Sequence, residues 1–181
     1  ETSWSPFPGE RPCIDGGREV VGWRRFDGDL PGLPPGARGR LWWADVGVGR
    51  SFARLAWDGA DLRRSASVES DDWHTWPTCQ LGPRPDEEIV VPPEHLPADG
   101  DGRCADLDYL PTPYTRWSNA IAAVREIDRP RLVIRIATMR IPRPDKVKDV
   151  PFRLENLAAG LTGPGRWYLD RSAGRLYLRP P

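Results

Sequence analysis

Apolar and polar positions alternate with a period of two in several short segments, a pattern typical of half-buried strands. The last of these segments places Leu176 and Leu178 on one face and Tyr177 on the other. A strand at 167–169 and a turn at 170–174 precede it, so the pattern predicts a terminal β-hairpin. Because an isolated hairpin is only marginally stable, we expect this one to be an edge piece of a larger structure.

Two more hairpins are predicted upstream. The first has Asp58-Gly59 as a two-residue turn, with a strand that ends at Trp57 and a return strand that reaches about Ala66. The second is longer and turns at Arg129-Pro130. In its return strand the apolar residues face one way and the basic residues the other: Leu132, Ile134 and Ile136 against Arg131 and Arg135.

The remaining regular segments are short. Strands are predicted at 19–26, 40–46 and 87–92, and the segment 152–161 is predicted to begin extended and to end in one helical turn. No amphipathic helix of three turns is predicted. The chain contains 21 Pro and 18 Gly, and many of them separate these short strands. The sequence therefore favours an all-β fold, either an antiparallel β-sandwich or a partly open barrel, with long irregular loops.

The charge balance argues against several classes of partner. The chain has 26 Lys and Arg and 26 Asp and Glu, so its net charge is zero and it has no long-range field to attract nucleic acid or an anionic membrane. It also lacks an apolar run of about 18 residues, a dinucleotide-binding glycine motif and a phosphate-binding loop. We therefore expect no nucleic-acid partner, no membrane partner and no cofactor.

The cysteines do not indicate a metal site. Cys13, Cys79 and Cys104 lack C-x-x-C spacing, and the chain has two histidines to assist them. The segment 99–108 resembles a calcium loop, but Arg103 occupies the third ligand position and no Glu closes the loop. The sequence is compatible with a Cys79–Cys104 disulfide and equally with three free buried thiols.

Four segments carry a resemblance to a known group of proteins. They are PCIDGGREVVGWRRF at 12–26, SFARLAWDGADLRRSA at 51–66, the hairpin with REID at 125–128, and FRLENLAAGLTGPGRWYLDRSAGRLYLRPP at 152–181. In this order they resemble bacterial right-handed parallel β-helix proteins related to glycoside hydrolases. The last segment is the most specific, and between Asp71 and Thr115 almost nothing is similar.

The resemblance implies a β-sandwich beside a β-helix solenoid that follows Pro181 and carries the catalytic carboxylates. On this basis residues 1–18 are an extended segment from the β-helix cap, 19–165 the sandwich, and 166–181 the hairpin and junction to the β-helix. No catalytic residue is expected in the chain itself. Its expected partners are the β-helix domain of the same polypeptide and a polysaccharide or oligosaccharide, and its expected location is secreted or periplasmic.

The segment DDWHTWPT, at 71–78, is the strongest candidate for substrate contact. Trp73 and Trp76 bracket His74 in a polar loop, and together with Asp72 they offer stacking faces and hydrogen-bonding groups suited to a sugar. The structural alternative is a loop that anchors itself to the core through both tryptophans.

Other acids are expected to be structural. Asp106 and Asp108 would share one face if they lay on a strand, but we expect solvated loop acids there. Asp170 is expected to cap the turn of the last hairpin, and Glu155 to brace the junction.

Three functions remain open at this point. The first is an accessory domain that shapes one wall of the substrate cleft of a carbohydrate-active enzyme. The second is an autonomous carbohydrate-binding module, and the third is a structural domain that caps the edge of a solenoid.

Overall fold

The computed structural model describes residues 9, 17–64, 74–78, 80–81, 87–96, 102, 104–109, 120–137 and 148–181. Within these residues the fold is all-β and sandwich-like, as predicted, and its helices are single 3-10 turns at Pro35–Ala37, Pro93–His95 and Ala158–Gly160. The strands, in chain order, are β1 (Arg24–Phe26), β2 (Leu41–Asp45), β3 (Leu55–Trp57), β4 (Ala60–Arg64), β5 (His74–Thr78), β6 (Gln80–Leu81), β7 (Glu88–Val90), β8 (Asp106–Tyr109), β9 (Ala120–Asp128), β10 (Val133–Ile136), β11 (Lys148–Glu155), β12 (Arg166–Asp170) and β13 (Arg175–Arg179).

One sheet has six strands in the order β1-β2-β13-β12-β4-β3. The terminal hairpin, β12 and β13, forms as predicted, with Trp167 opposite Leu178 and Leu169 opposite Leu176. Its expected position at an edge is wrong, because β13 also pairs with β2, and β12 also pairs with β4. The hairpin is therefore the centre of this sheet, and each of its strands is stabilised on both sides.

The pairing of β12 with β4 is parallel, whereas the other strand pairs of the described residues are antiparallel. It places Arg166 opposite Arg63 and Trp167 opposite Arg64. The whole of the second sheet lies between these two strands in sequence. A parallel pair needs a long crossover connection, and here that connection is the second sheet.

The second sheet has seven strands in the order β5-β11-β8-β9-β10-β7-β6. The long hairpin β9 and β10 confirms the sequence prediction, and Ile134 and Ile136 are buried on its core face. Leu132, however, has a φ of 54° and lies in the turn rather than on the strand, so its predicted place on that face is wrong. The turn is two residues longer than the Arg129-Pro130 pair.

One predicted strand is shorter in the structure, and one predicted turn is confirmed. The predicted strand at 19–26 is shortened to β1, since Gly22 breaks the extended chain with a φ of 75°. The Asp58-Gly59 turn is confirmed, with φ values of 50° and 76° that match the turn preferred between twisted antiparallel strands.

The core of the seven-stranded sheet lies on one face. It is built from the inward positions of neighbouring strands: Ile89, Leu107, Tyr109, Val124, Ile134, Ile136, Phe152 and Leu154. Burial of such aliphatic and aromatic side chains is the dominant favourable term in folding, at about 1.5–3 kcal/mol for each.

The six-stranded sheet is covered on both faces. Trp167 and Leu176 belong to one buried cluster, and Phe52 stacks on the Trp167 ring with the ring centroids 5.5 Å apart. Tyr177 belongs to the cluster on the opposite face, which also contains Leu41. The predicted split of Leu176 and Leu178 from Tyr177 is thus confirmed, with both groups buried.

No helix formed by the described residues has the length and apolar character needed to cross a membrane.

Candidate functional site

Five of the eight residues of the predicted sugar-contacting segment, 71–78, form a strand and not a loop. Their backbone is β5, so the prediction of a loop is wrong at 74–78. Asp72 and Trp73 lie outside the described residues, as do the side chains of His74 and Trp76. Contact between these four residues and a sugar stays a prediction.

The register of β5 places this segment beside β11. His74 is opposite Phe152 and Trp76 is opposite Val150. The strand order puts β5 at the edge of the seven-stranded sheet, where a proline such as Pro77 is tolerated because one side of the strand needs no ladder hydrogen bonds. The described part of the segment, 74–78, therefore lies at the rim of this sheet.

The acids of β8 belong to a buried cluster of ion pairs. Asp106 and Asp108 lie on a strand and are buried, which corrects the expectation of solvated loop acids. They share the face opposite the core, since Leu107 and Tyr109 point into the hydrophobic cluster. On the neighbouring strand β11, Arg153 is directly opposite Asp108.

Arg153 joins two of the carboxylates. Its guanidinium lies 3.0 Å from the Asp108 carboxylate through Nη2 and 3.2 Å through Nε, and 2.9 Å from Oε1 of Glu155. Buried charges are tolerated in proteins when they are paired and hydrogen-bonded in this way. The Arg153–Asp108 pair ties β8 to β11, whereas Glu155 lies on the same strand as Arg153, so its bracing of the junction to the β-helix stays a prediction.

Arg171 extends the network to the other sheet. Its two terminal nitrogens hold both oxygens of Asp106, at 3.0 Å and 2.9 Å, and Nη2 also donates to the carbonyl of Cys104. This fork-on-carboxylate geometry is the strongest form of such a pair. Because Arg171 directly follows β12 and Asp106 begins β8, the pair fixes one sheet to the other.

Asn156 makes a second link between the sheets. Its Oδ1 accepts a hydrogen bond of 2.8 Å from the Leu169 N–H, and its Nδ2 donates to the carbonyls of Leu169 at 2.9 Å and Cys104 at 2.6 Å. The residue is fully buried and has a φ of 60°. A non-glycine residue holds this backbone conformation only when its surroundings impose it, and asparagine is among the most tolerant.

The turn of the last hairpin lies beside these links between the two sheets. Oδ1 of Asp170 accepts hydrogen bonds from the N–H groups of Ser172 and Ala173, at 3.0 Å and 2.9 Å, which confirms the predicted cap. Burial raises the pKa of Asp170, but the hydrogen bonds from Ser172, Ala173 and the Cys104 thiol outweigh it, so the pKa lies below its usual value. Burial also raises the pKa of the neighbouring Tyr168.

Cys104 is a free, buried thiol whose sulfur lies 3.7 Å from Oδ1 of Asp170. The alternative of a Cys79–Cys104 disulfide is therefore wrong. Cys13 and Cys79 lie outside the described residues.

The cluster is suited to holding two sheets together rather than to breaking a glycosidic bond. A glycosidase needs two carboxyl groups that face a substrate from opposite sides, roughly 5 to 9 Å apart. Here Asp106, Asp108 and Glu155 are buried and engaged by Arg153 and Arg171.

The sequence did not identify Asn156 and Arg171 as residues that link the two sheets. Asn156 stands in the recognised LEN motif, and an asparagine between a strand and a helical turn is a signal for a left-handed backbone position. Arg171 offers no such signal, because its partner Asp106 is distant in sequence.

The comparisons with known proteins agree with the fold. No protein-family model and no curated protein matches the chain. A solved structure titled "Glycoside hydrolase" is similar over 92% of this chain, with a TM-score of 0.57 and 18% sequence identity. At that identity the likeness shows the fold alone. The chain spans 28% of the length of that protein.

Proposed function

We propose that this chain is the accessory β-sandwich domain of a carbohydrate-active, glycoside hydrolase-like protein built on a right-handed β-helix. In this role it packs on the solenoid and shapes one wall of the substrate cleft, while the catalytic carboxylates belong to the solenoid. The proposed location is secreted or periplasmic.

One observation supports this proposal above the others. The similar structure, titled as a glycoside hydrolase, matches nearly all of this chain with little more than a quarter of its own length. A domain of this size can be a self-contained part of a larger enzyme. Ligand sites commonly lie where two such domains meet, which makes a role in the cleft wall physically reasonable.

The contacts of two residues in the segment 152–181 also support a structural role for this chain. Asn156 and Asp170, both within the segment that resembles β-helix proteins, make framework hydrogen bonds at the sheet junction. The described acids Asp106, Asp108 and Glu155 are buried and paired with arginines, which supports a framework role for this cluster rather than proton transfer.

The coding sequence downstream of Pro181 tests the architecture. A run of β-helix repeats there would support the proposal. A different fold in that position would contradict it.

The wall role is tested by kinetics of the full encoded polypeptide. We expect Trp73→Ala to raise KM for the accepted glycan about fivefold or more with a smaller change in kcat, because a stacking face acts on bound substrate. Trp42→Ala is the matched control, since Trp42 is 37% exposed on β2 of the other sheet. An unchanged kcat/KM in Trp73→Ala on every accepted glycan would refute the wall role.

A further inference from the structure

An open depression lies at the free edge of the six-stranded sheet. Its volume is about 540 Å³, and it is bordered by the β3–β4 hairpin, by the segment that leads into β12 and by Pro181. Small-molecule sites commonly have volumes of roughly 300–1,000 Å³. The depression is therefore large enough for one or two sugar rings.

Trp57 forms one side of this depression and is 45% exposed. It shares a strand face with Leu55, which packs against the core cluster of Trp167, but Trp57 lies beyond the limit of that cluster. Its cross-strand partner is Ala60, which is too small to cover an indole ring. Part of the ring thus remains open to solvent without serving the core.

The rest of the lining combines apolar and acidic groups. Leu62, Pro164 and Pro181 provide apolar surface, and Asp58, in the hairpin turn, provides a carboxylate. Asp61 also borders the depression, but it lies opposite Ala56 on the other face of the hairpin, where its carboxylate pairs with the guanidinium of Arg54.

The residues that border the depression are held in place by backbone contacts of the fold. Gly165 has a φ of 72°, and its N–H donates a hydrogen bond of 2.7 Å to the carbonyl of Arg179, close in sequence to Pro181. On the other side the tight Asp58-Gly59 turn fixes the end of β3. A preformed site loses little conformational entropy on binding.

We propose that this depression binds a neutral pyranose ring of a glycan, stacked on Trp57 and hydrogen-bonded through its hydroxyl groups to Asp58. A sugar ring combines an apolar C–H face, which packs on an aromatic ring, with hydroxyl donors around its edge that suit carboxylate acceptors. The Asp58 carboxylate disfavours an acidic sugar because like charges repel. The choice of a glycan as ligand class rests on the proposed function.

Calorimetric titration of the full encoded chain tests this site. The probes are cellohexaose, xylohexaose and mannohexaose as neutral glycans and a galacturonate oligomer as the acidic one. We expect Trp57→Ala to weaken binding of the preferred neutral hexamer about fivefold or more, and Trp57→Tyr to retain affinity within about threefold, because tyrosine keeps a stacking face. Trp42→Ala, the control for loss of an exposed indole, should bind as the unsubstituted chain does.

Each other outcome has a defined meaning. Equal affinity of Trp57→Ala and the unsubstituted chain would overturn the site. Loss of affinity in Trp73→Ala alone would assign binding to the segment 71–78, which would also overturn this site and leave the proposed function standing. Turnover of a glycan without any effect of Trp57→Ala on binding or KM would overturn the site in the same way. Tighter binding of the acidic oligomer would overturn the assigned ligand class. Neither binding nor turnover of any glycan would overturn both this site and the proposed function.

Discussion

The side-chain amide of Asn156 pairs with the backbone of Leu169 in both directions, accepting from its N–H at 2.8 Å and donating to its carbonyl at 2.9 Å. Asn156 directly follows β11 of the seven-stranded sheet, whereas Leu169 lies on β12, a central strand of the six-stranded sheet. One side chain thus substitutes for a strand neighbour and sets how the two sheets meet.

This pairing predicts a large loss of stability on substitution. Asn156→Ala leaves buried N–H and carbonyl groups unpaired and also strains the left-handed backbone, so we expect the free energy of unfolding to fall by about 3–5 kcal/mol. Urea titration followed by circular dichroism measures it. Asn156→Gly separates the two causes, because glycine relieves the strain while the hydrogen bonds stay lost. A cost under about 1 kcal/mol for Asn156→Ala would contradict the role of this residue.

The Arg171–Asp106 pair predicts a different response for single and double substitutions. Arg171→Leu leaves the Asp106 carboxylate buried without its main partner and should cost about 3–5 kcal/mol. Adding Asp106→Asn should recover part of that loss, because the uncompensated charge is then removed.

The surface pair Arg54–Asp61 is the matched control for this cycle. Its side chains are 80% and 58% exposed, so Arg54→Leu should cost less than about 1 kcal/mol. Equal effects of Arg171→Leu and Arg54→Leu in the same denaturant titrations would show that the buried pair does not hold the sheets together.

Asp170 predicts how stability changes in acid. Its pKa is lower in the folded chain than in the unfolded chain, so its contribution is fully present above the unfolded value, about 3.9, and is lost as pH falls through the folded value. Unfolding free energies measured from pH 7 to pH 2 should therefore differ between the unsubstituted chain and Asp170→Asn at neutral pH and converge at the acidic end. A difference that does not depend on pH would rule out this linkage.

Gly174 predicts a steric requirement at the end of the last turn. A Cβ atom there would lie 2.5 Å from the backbone of Gly47 and of Val48, and the residue has a φ of 68°. Gly174→Ala should cost roughly 2–4 kcal/mol in thermal or urea unfolding, since backbone atoms cannot move aside cheaply. Gly59→Ala is the control: its φ is 76° but no atom lies within 4 Å, so only about 1 kcal/mol is expected.

Local patterns were sufficient for the hairpins. The alternation of Leu176, Tyr177 and Leu178 fixed the faces of the last strand, and Asp58-Gly59 carried its own turn signal. Both features depend on neighbours in sequence. For that reason they could be predicted without knowledge of the sheet around them.

Features that depend on distant partners were not predictable. Asp106 and Asp108 alternate with Leu107 and Tyr109, as residues of a strand do. Their burial depends on ion pairs with Arg153 and Arg171, which are distant in sequence, and without those partners two acids in a polar region are typical of a solvated loop. The central position of β12 likewise depends on a parallel partner, β4, on the far side of the second sheet in sequence. The predicted sugar contacts at Trp73 and His74 stay predictions.

The proposed function requires that this chain shape a glycan site without itself breaking glycosidic bonds. The most direct test is a hydrolysis assay of the purified 181-residue chain against the glycans that the full encoded polypeptide degrades. We predict no turnover above the uncatalysed rate by the 181 residues alone. Sustained hydrolysis by this chain, abolished by Asp106→Asn or Asp108→Asn in a variant that still folds, would contradict the account.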